Sequence, residues 1–253
     1  MDKQLINDSD RNKRNLLKRD LYLNYFNYKI KNNENFSFTK FGDEELECIF
    51  GFRDGEENRD GHPLSKELGE FLKVALKKMA RRADVFIGDW PGRAGDEFSQ
   101  LRDDYLNCEG LIPNYLYYAL LLTHDSLNHN LRTLLESIKN SKRKKIFIGP
   151  NKLNGIKNLL NVDEIIITPE TNSFSKYNEI KENAVKSIQK DAIFLFSFGL
   201  SSKVLTSDLL SLNKEITILD FGSGFDPILL NKEARVGQVH NEKVKKFFES
   251  LLT

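Results

Sequence analysis

Six short stretches of the chain, residues 36–41, 84–89, 145–149, 164–168, 192–198 and 216–221, are almost wholly apolar, rich in β-branched and aromatic side chains, and bounded by Gly, Pro or Asp. Such runs predict strands. Because polar residues do not alternate within most of them, they suit a parallel sheet covered on both faces. Between them, apolar residues recur at helical spacing over 64–82, 111–139, 153–160, 177–190, 204–212 and 243–252. Alternation of strand and helix is the mark of βαβ units. The expected fold is therefore α/β: a Rossmann-like, doubly wound, mostly parallel sheet with helices on both faces. The basic stretch 11–19 predicts a helix packed on the outside. It divides the chain into an N-terminal helical, basic extension over 1–35 and a single α/β domain over 36–253.

Composition narrows the class. A length of 253 residues with 40% hydrophobic and 30% charged residues is ordinary for a globular chain with a substantial core. With 38 Lys+Arg against 37 Asp+Glu, no global field recruits nucleic acid or an anionic membrane, so nucleic acid is not a favoured partner. Cys48 and Cys108 lie far apart with no C-x-x-C spacing, which argues against a zinc knuckle or a disulfide framework. The polar opening from Met1 lacks the apolar core of a secretory signal, and no apolar run approaches the roughly 20 residues of a membrane-spanning helix. The expected location is cytoplasmic, with no transmembrane segment.

In open parallel sheets ligands bind beyond the carboxyl ends of the strands, so the residues that end each predicted strand are the candidates for chemistry. The first such end reads Gly42-Asp43-Glu44-Glu45 ahead of an apolar, helix-like segment. Carboxylates are hard oxygen ligands, and Asp43 with Glu45 is the natural pair for Mg²⁺ or Mn²⁺. The same residues also suit a helix start, with Asp43 as N-cap and acidic residues facing the dipole. The loop Asn58-Arg59-Asp60-Gly61-His62-Pro63 gathers a carboxylate and an imidazole beside a turn glycine, as a polar turn also would. Gly88-Asp89-Trp90-Pro91-Gly92-Arg93 offers an indole and a guanidinium at another strand end, for a sugar face and a phosphate or for packing a loop.

Two further turns, Gly149-Pro150-Asn151-Lys152 and Gly199-Leu200-Ser201-Ser202-Lys203, present helix N-terminal amides and a lysine to an anion. The last strand ends in Leu219-Asp220-Phe221-Gly222-Ser223-Gly224-Phe225-Asp226-Pro227, which is similar to the first motif of S-adenosylmethionine-dependent Rossmann methyltransferases. Only 27 residues follow Asp226, too few for the further βα units that fold requires without circular permutation. The basic residues from Lys139 to Lys145 read as a solvated helix end.

Taken in order, these strand ends resemble the glycosyltransferases of the GT-D fold type, which transfer sugars from nucleotide donors. The segment Phe36 to Glu45 looks like that family's strand followed by Gly-Asp-x-Glu, with Lys40 where Arg is usual and Glu44 where Gly is frequent. A lysine there cannot grip a phosphate bidentately as arginine does. The resemblance continues at Asn58 to Ser65, Ile148-Gly149-Pro150, Phe196 to Ser201 and Asp220 to Pro227, covering about residues 36–240.

It implies a metal-dependent glycosyltransferase that moves a sugar from a nucleoside-diphosphate donor, expected to be a UDP-sugar, to a hydroxyl of a glycan, protein or other acceptor. Asp43 and Glu45 would hold Mn²⁺ or Mg²⁺. Gly42, Gly149, Pro150, Gly199, Ser201, Gly222 and Ser223 would line the donor site, and Asp226, Asp60 and His62 are the candidate catalytic bases. The competing readings are the methyltransferase and a non-catalytic nucleotide-binding α/β module.

Overall fold

The computed structural model describes residues 8–58, 61–89, 97–111, 114–116, 122, 129–230 and 246. In chain order the described elements are α1 (Asp8–Lys31), β1 (Ser37–Phe41), α2 (Asp43–Phe50), α3 (Lys66–Ala80), β2 (Val85–Asp89), α4 (Glu97–Cys108), β3 (Asn114–Leu116), α5 (His129–Asn140), β4 (Lys145–Pro150), α6 (Ile156–Leu160), β5 (Glu164–Thr168), α7 (Tyr177–Ser187), β6 (Ile193–Phe196), α8 (Ser201–Leu212), β7 (Thr217–Asp220) and α9 (Asp226–Leu229).

The described strands form one seven-stranded sheet in the order β3-β2-β1-β7-β6-β4-β5. Every pairing is parallel. The doubly wound α/β expectation therefore holds. From β1 the chain winds outward through β2 and β3, while β4 to β7 occupy the other half and return β7 to the side of β1. The β1/β7 border is thus the switch point, the place at which open parallel sheets bind ligands in the crevice beyond the carboxyl ends.

Two apolar cores, one on each face, explain why the strands carry so few polar residues. Phe41, Ile87, Ile148, Phe196 and Ile218 face α2, α3, α7 and α8, and the opposite face buries Phe38, Phe147, Leu195 and Leu219 against α1, α5 and α6. Helix α1 is an integral part of this second core. Leu23, Phe26 and Ile30 are buried, and the Phe26 ring stacks on Phe36 with centroids 4.7 Å apart. The basic stretch 11–19 is the first half of that longer helix.

One sequence expectation is overturned here. The apolar pattern over 111–139 predicts a single helix, whereas the structure places β3 at Asn114–Leu116 and begins α5 only at His129. Among the described residues strand β3 is a three-residue edge paired only with β2, too short for a run of β-branched residues to announce it. Helix α4 is also unanticipated. The helix expected over 243–252 falls outside the described residues apart from Lys246.

Helices α2 and α3 approach closely because Gly69 has no side chain: a methyl there would lie 2.3 Å from the Cys48 carbonyl oxygen. The cap of α3 fixes its start, with Ser65 Oγ accepting the Leu68 N–H at 3.2 Å. Gly69→Ala is expected to push the helices apart and to cost about 1–3 kcal/mol despite alanine's better helix propensity. A fall in the urea midpoint at constant m-value would show it.

Candidate functional site

The end of β1 turns directly into α2, and Gly42 serves as its N-cap. Asp43 is the first residue of the helix and is exposed, with Oδ1 accepting the Glu44 N–H at 3.0 Å. Glu45 folds back, and its Oε2 accepts the Gly42 N–H at 2.8 Å. A helix does start here with its acidic residues in the first turn, but Gly42, not Asp43, is the N-cap, because the chain leaves the extended conformation of β1 one residue earlier than the sequence predicts. Its acidic first turn also compensates the dipole.

Glu44 has a structural partner, since Asn58 Nδ2 donates to its Oε2 at 2.8 Å. Asn58 in turn accepts the His62 N–H on Oδ1 at 2.8 Å and donates its own N–H to the His62 carbonyl at 2.9 Å. The loop is closed further by an antiparallel bridge between Glu57 and Pro63. This carries His62 across to the β6 end. Gly199 there has φ +69°, and a methyl on it would sit 3.0 Å from His62 Nε2. Asp60 lies outside the described residues, as do residues 90–93 of the Trp90 loop.

Beneath these turns is a buried ionic group. Lys203, in the first turn of α8 and only 1% exposed, places Nζ 2.9 Å from Glu45 Oε1 and 3.0 Å from Asp220 Oδ2. Its third oxygen contact is the Gly199 carbonyl at 3.3 Å. An ammonium carries three N–H donors, and three oxygens meet it. Burial alone pulls the Lys203 pKa down, but the Asp220 and Glu45 carboxylates outweigh it and hold the group above the ordinary lysine value. Asp220 is satisfied further by the Gly222 N–H at 3.0 Å and by Ser202 Oγ at 3.2 Å. The ends of β1, β6 and β7 are thereby tied to one nitrogen.

The remaining candidates spread over the same rim. Gly222 has φ +54°, and a methyl on it would fall 2.1 Å from Lys40 Nζ, so this glycine makes room for Lys40. Ser223 belongs to the same turn, and Asp226 opens α9 with its N–H donating to the Ser223 carbonyl at 3.1 Å. Ser201 is buried and paired with Ser173 Oγ at 3.1 Å. Gly149 is demanded by packing, because a methyl would lie 2.5 Å from the Phe147 ring, and Pro150 closes β4. Lys152 pairs with Glu170 at 3.1 Å. The Lys203–Glu45–Asp220 group itself escapes sequence reasoning. Its linear signal is a single lysine in the first turn of α8, a helix whose other residues are apolar or hydroxyl-bearing except for Asp208.

Burial first, and then the positive charges of Lys203 and Lys152, push the His62 pKa below the usual imidazole value. With a folded pKa below the unfolded one, the unfolded chain binds more protons. His62 therefore costs nothing above the unfolded value near 6.5 and removes stability as pH falls below it. His62→Gln is expected to lose less stability than the parent between pH 7.5 and pH 5.5. Urea titrations at both pH values check this; equal losses would contradict it.

Among the described residues no group of three or more His, Cys, Asp or Glu side chains could hold an ion. Mg²⁺ and Mn²⁺ at phosphate sites need only one or two carboxylates, the rest of the shell being water and phosphate. Asp43 is open to solvent and fits that role. Each oxygen of Glu45 holds one donor and keeps a second acceptor position.

Fold and site together define a doubly wound α/β protein whose strand-end turns at the switch point carry carboxylates, lysines and an imidazole. The profile of the family described as glycosyltransferase GT-D fold matches residues 94–228. The chain belongs to that family of glycosyltransferases. Solved structures agree in fold. A selenomethionine-substituted structure of domain of unknown function 1792 superposes with a TM-score of 0.58 at 17% identity, covering 94% of this chain and 93% of that one. A structure described as a new glycosyltransferase from Streptococcus sanguinis gives 0.57 at 16%, covering 90% of each chain. A third, described as the highly conserved domain of unknown function 1792 with a distinct glycosyltransferase fold, gives 0.58 at 18%, covering 91% and 88%. No curated protein matches the sequence. Among the described residues no helix is long and apolar enough to cross a membrane.

Proposed function

We propose that this glycosyltransferase moves a sugar from a nucleoside-diphosphate donor, a UDP-sugar by expectation, to a hydroxyl of a glycan, protein or other acceptor, and that it depends on Mn²⁺ or Mg²⁺. The observation that carries this reading is the exposed Asp43 carboxylate, set beside buried Glu45 at the β1 end of the switch-point crevice. Asp43 and Glu45 would hold the metal, which when bound neutralises the charge that develops on the departing diphosphate. The chain's own residues do the rest. Lys40 over Gly222 and Lys152 beyond β4 supply positive charge at the rim, and the first amides of α8 add their dipole.

The acceptor hydroxyl must give up a proton. Asp226, at the start of α9 beyond β7, is the first candidate to receive it, with Asp60 and His62 behind it. His62 is suited in one respect: its lowered pKa leaves the imidazole neutral, and so able to accept a proton, at pH 7. The unpaired cysteines, Cys48 buried and Cys108 exposed, accord with a reducing, cytoplasmic setting. Release of nucleoside diphosphate from a panel of nucleotide sugars, with and without Mn²⁺, tests the proposal. Metal-independent release, or tight binding of a donor with no turnover, would count against it.

A further inference from the structure

We infer that Lys203 is a built-in cation that fills the buried oxygen site between Glu45 and Asp220, so that the divalent ion binds productively only together with the nucleotide. The inference rests on the metal-dependent reading above and deepens it. Its basis is the shell around Nζ. Two carboxylate oxygens at 2.9 and 3.0 Å and a backbone carbonyl oxygen at 3.3 Å converge on one point. Carboxylate and carbonyl oxygens are the ligands that hard divalent cations take. The ammonium supplies the charge such an ion would supply, less one unit, and its three donors use the three oxygens. The site is sealed, with side-chain exposures of 2% for Lys203, 11% for Glu45 and 1% for Asp220.

The geometry divides the acidic cluster in two. Glu45 faces inward and is largely neutralised by Lys203; Asp43 faces solvent. Without nucleotide, an ion at the rim meets one open carboxylate and one that is already shared. Such a partial set binds weakly, because affinity follows the number and charge of the ligands. Diphosphate oxygens complete the shell. Lys203 thereby acts as a positioning residue that orders metal and donor, and through Glu45 and Asp220 it fixes the spacing of the β1, β6 and β7 turns.

The test uses Mn²⁺ alone, titrated into the full chain and followed by electron paramagnetic resonance of the free ion. Lys203→Ala vacates the site, and Lys203→Arg retains a cation. Without nucleotide, Lys203→Ala is expected to bind Mn²⁺ at least about tenfold more tightly than the parent, since two charged ligands are freed. Adding Glu45→Gln to Lys203→Ala should remove the gain, and Lys203→Arg should behave as the parent.

A folded Lys203→Ala protein with unchanged Mn²⁺ affinity would overturn the inference. Should Lys203→Ala fail to fold, Glu45→Gln in the parent decides. Nucleotide-free Mn²⁺ binding left as in the parent supports an occupied site, whereas its loss overturns one. Adding UDP to the parent should tighten Mn²⁺ binding by at least about tenfold. Failure of the UDP arm alone would overturn the coupling of ion to nucleotide and count against the donor proposal while leaving the occupied buried site standing, so the two failures are distinguishable.

Discussion

Asp43→Asn is expected to lower metal-dependent sugar transfer by about 10²–10³-fold, the range found when a group that stabilises developing charge is removed. Stability should stay within about 0.5 kcal/mol, because Asp43 is exposed and the amide keeps its shape. Its one described role, accepting the Glu44 N–H, passes to the amide oxygen. Glu45→Gln should differ in kind. It weakens both the Gly42 contact and the Lys203 pair, so it should reduce stability as well as activity. Steady-state kinetics over a Mn²⁺ series, alongside thermal melts, separate the two. Full transfer by Asp43→Asn would remove Asp43 from the metal site.

The second large effect is on the fold. Lys203→Met keeps the buried stem but deletes the charge, leaving Glu45 and Asp220 facing each other with no cation between them. Breaking a buried ion pair from one side costs about 3–5 kcal/mol, a large part of the stability of an ordinary domain. The cost should be smaller at pH 5 than at pH 8, because one carboxylate can then take up a proton and relieve the repulsion. Urea unfolding of parent and variant at the two pH values measures this. A penalty under 1 kcal/mol, or one that grows towards acid pH, would contradict the buried triad as a keystone.

Much of the fold was legible because burial on both faces forces the central strands to be continuously apolar. Residues 145–149, 192–198 and 216–221 became the central strands β4, β6 and β7 with small shifts at their ends, and 164–168 became the partly buried edge strand β5. What escaped lies at the margin of the sheet. Among the described residues strand β3 pairs on one side only, and its Asn114-Tyr115-Leu116 sits in an apolar stretch that equally suits a helix. The site was half legible for a related reason. The rule that ligands gather at carboxyl strand ends picked out the turns at Gly42, Gly199 and Gly222, but local spacing cannot show what tertiary structure brings across to them.

Gly199 and Gly222 illustrate the limit. Each reads in the sequence as an opening for a ligand, and each receives a side chain of the protein itself, His62 and Lys40. Lys203 is the sharper case. Near Gly199 it reads as a phosphate-binding lysine, yet its partners Glu45 and Asp220 come from the ends of two other strands, and only the β1/β7 switch point unites them.

The central claim, metal-dependent handling of a nucleotide sugar at this crevice, is tested most directly by nucleoside-diphosphate release from UDP-sugars by the parent chain and Asp43→Asn, in Mn²⁺ and in chelator. The account predicts release by the parent in Mn²⁺ alone, abolished in chelator and lowered about 10²–10³-fold in Asp43→Asn. Release of equal rate in chelator, or undiminished in Asp43→Asn, would contradict it.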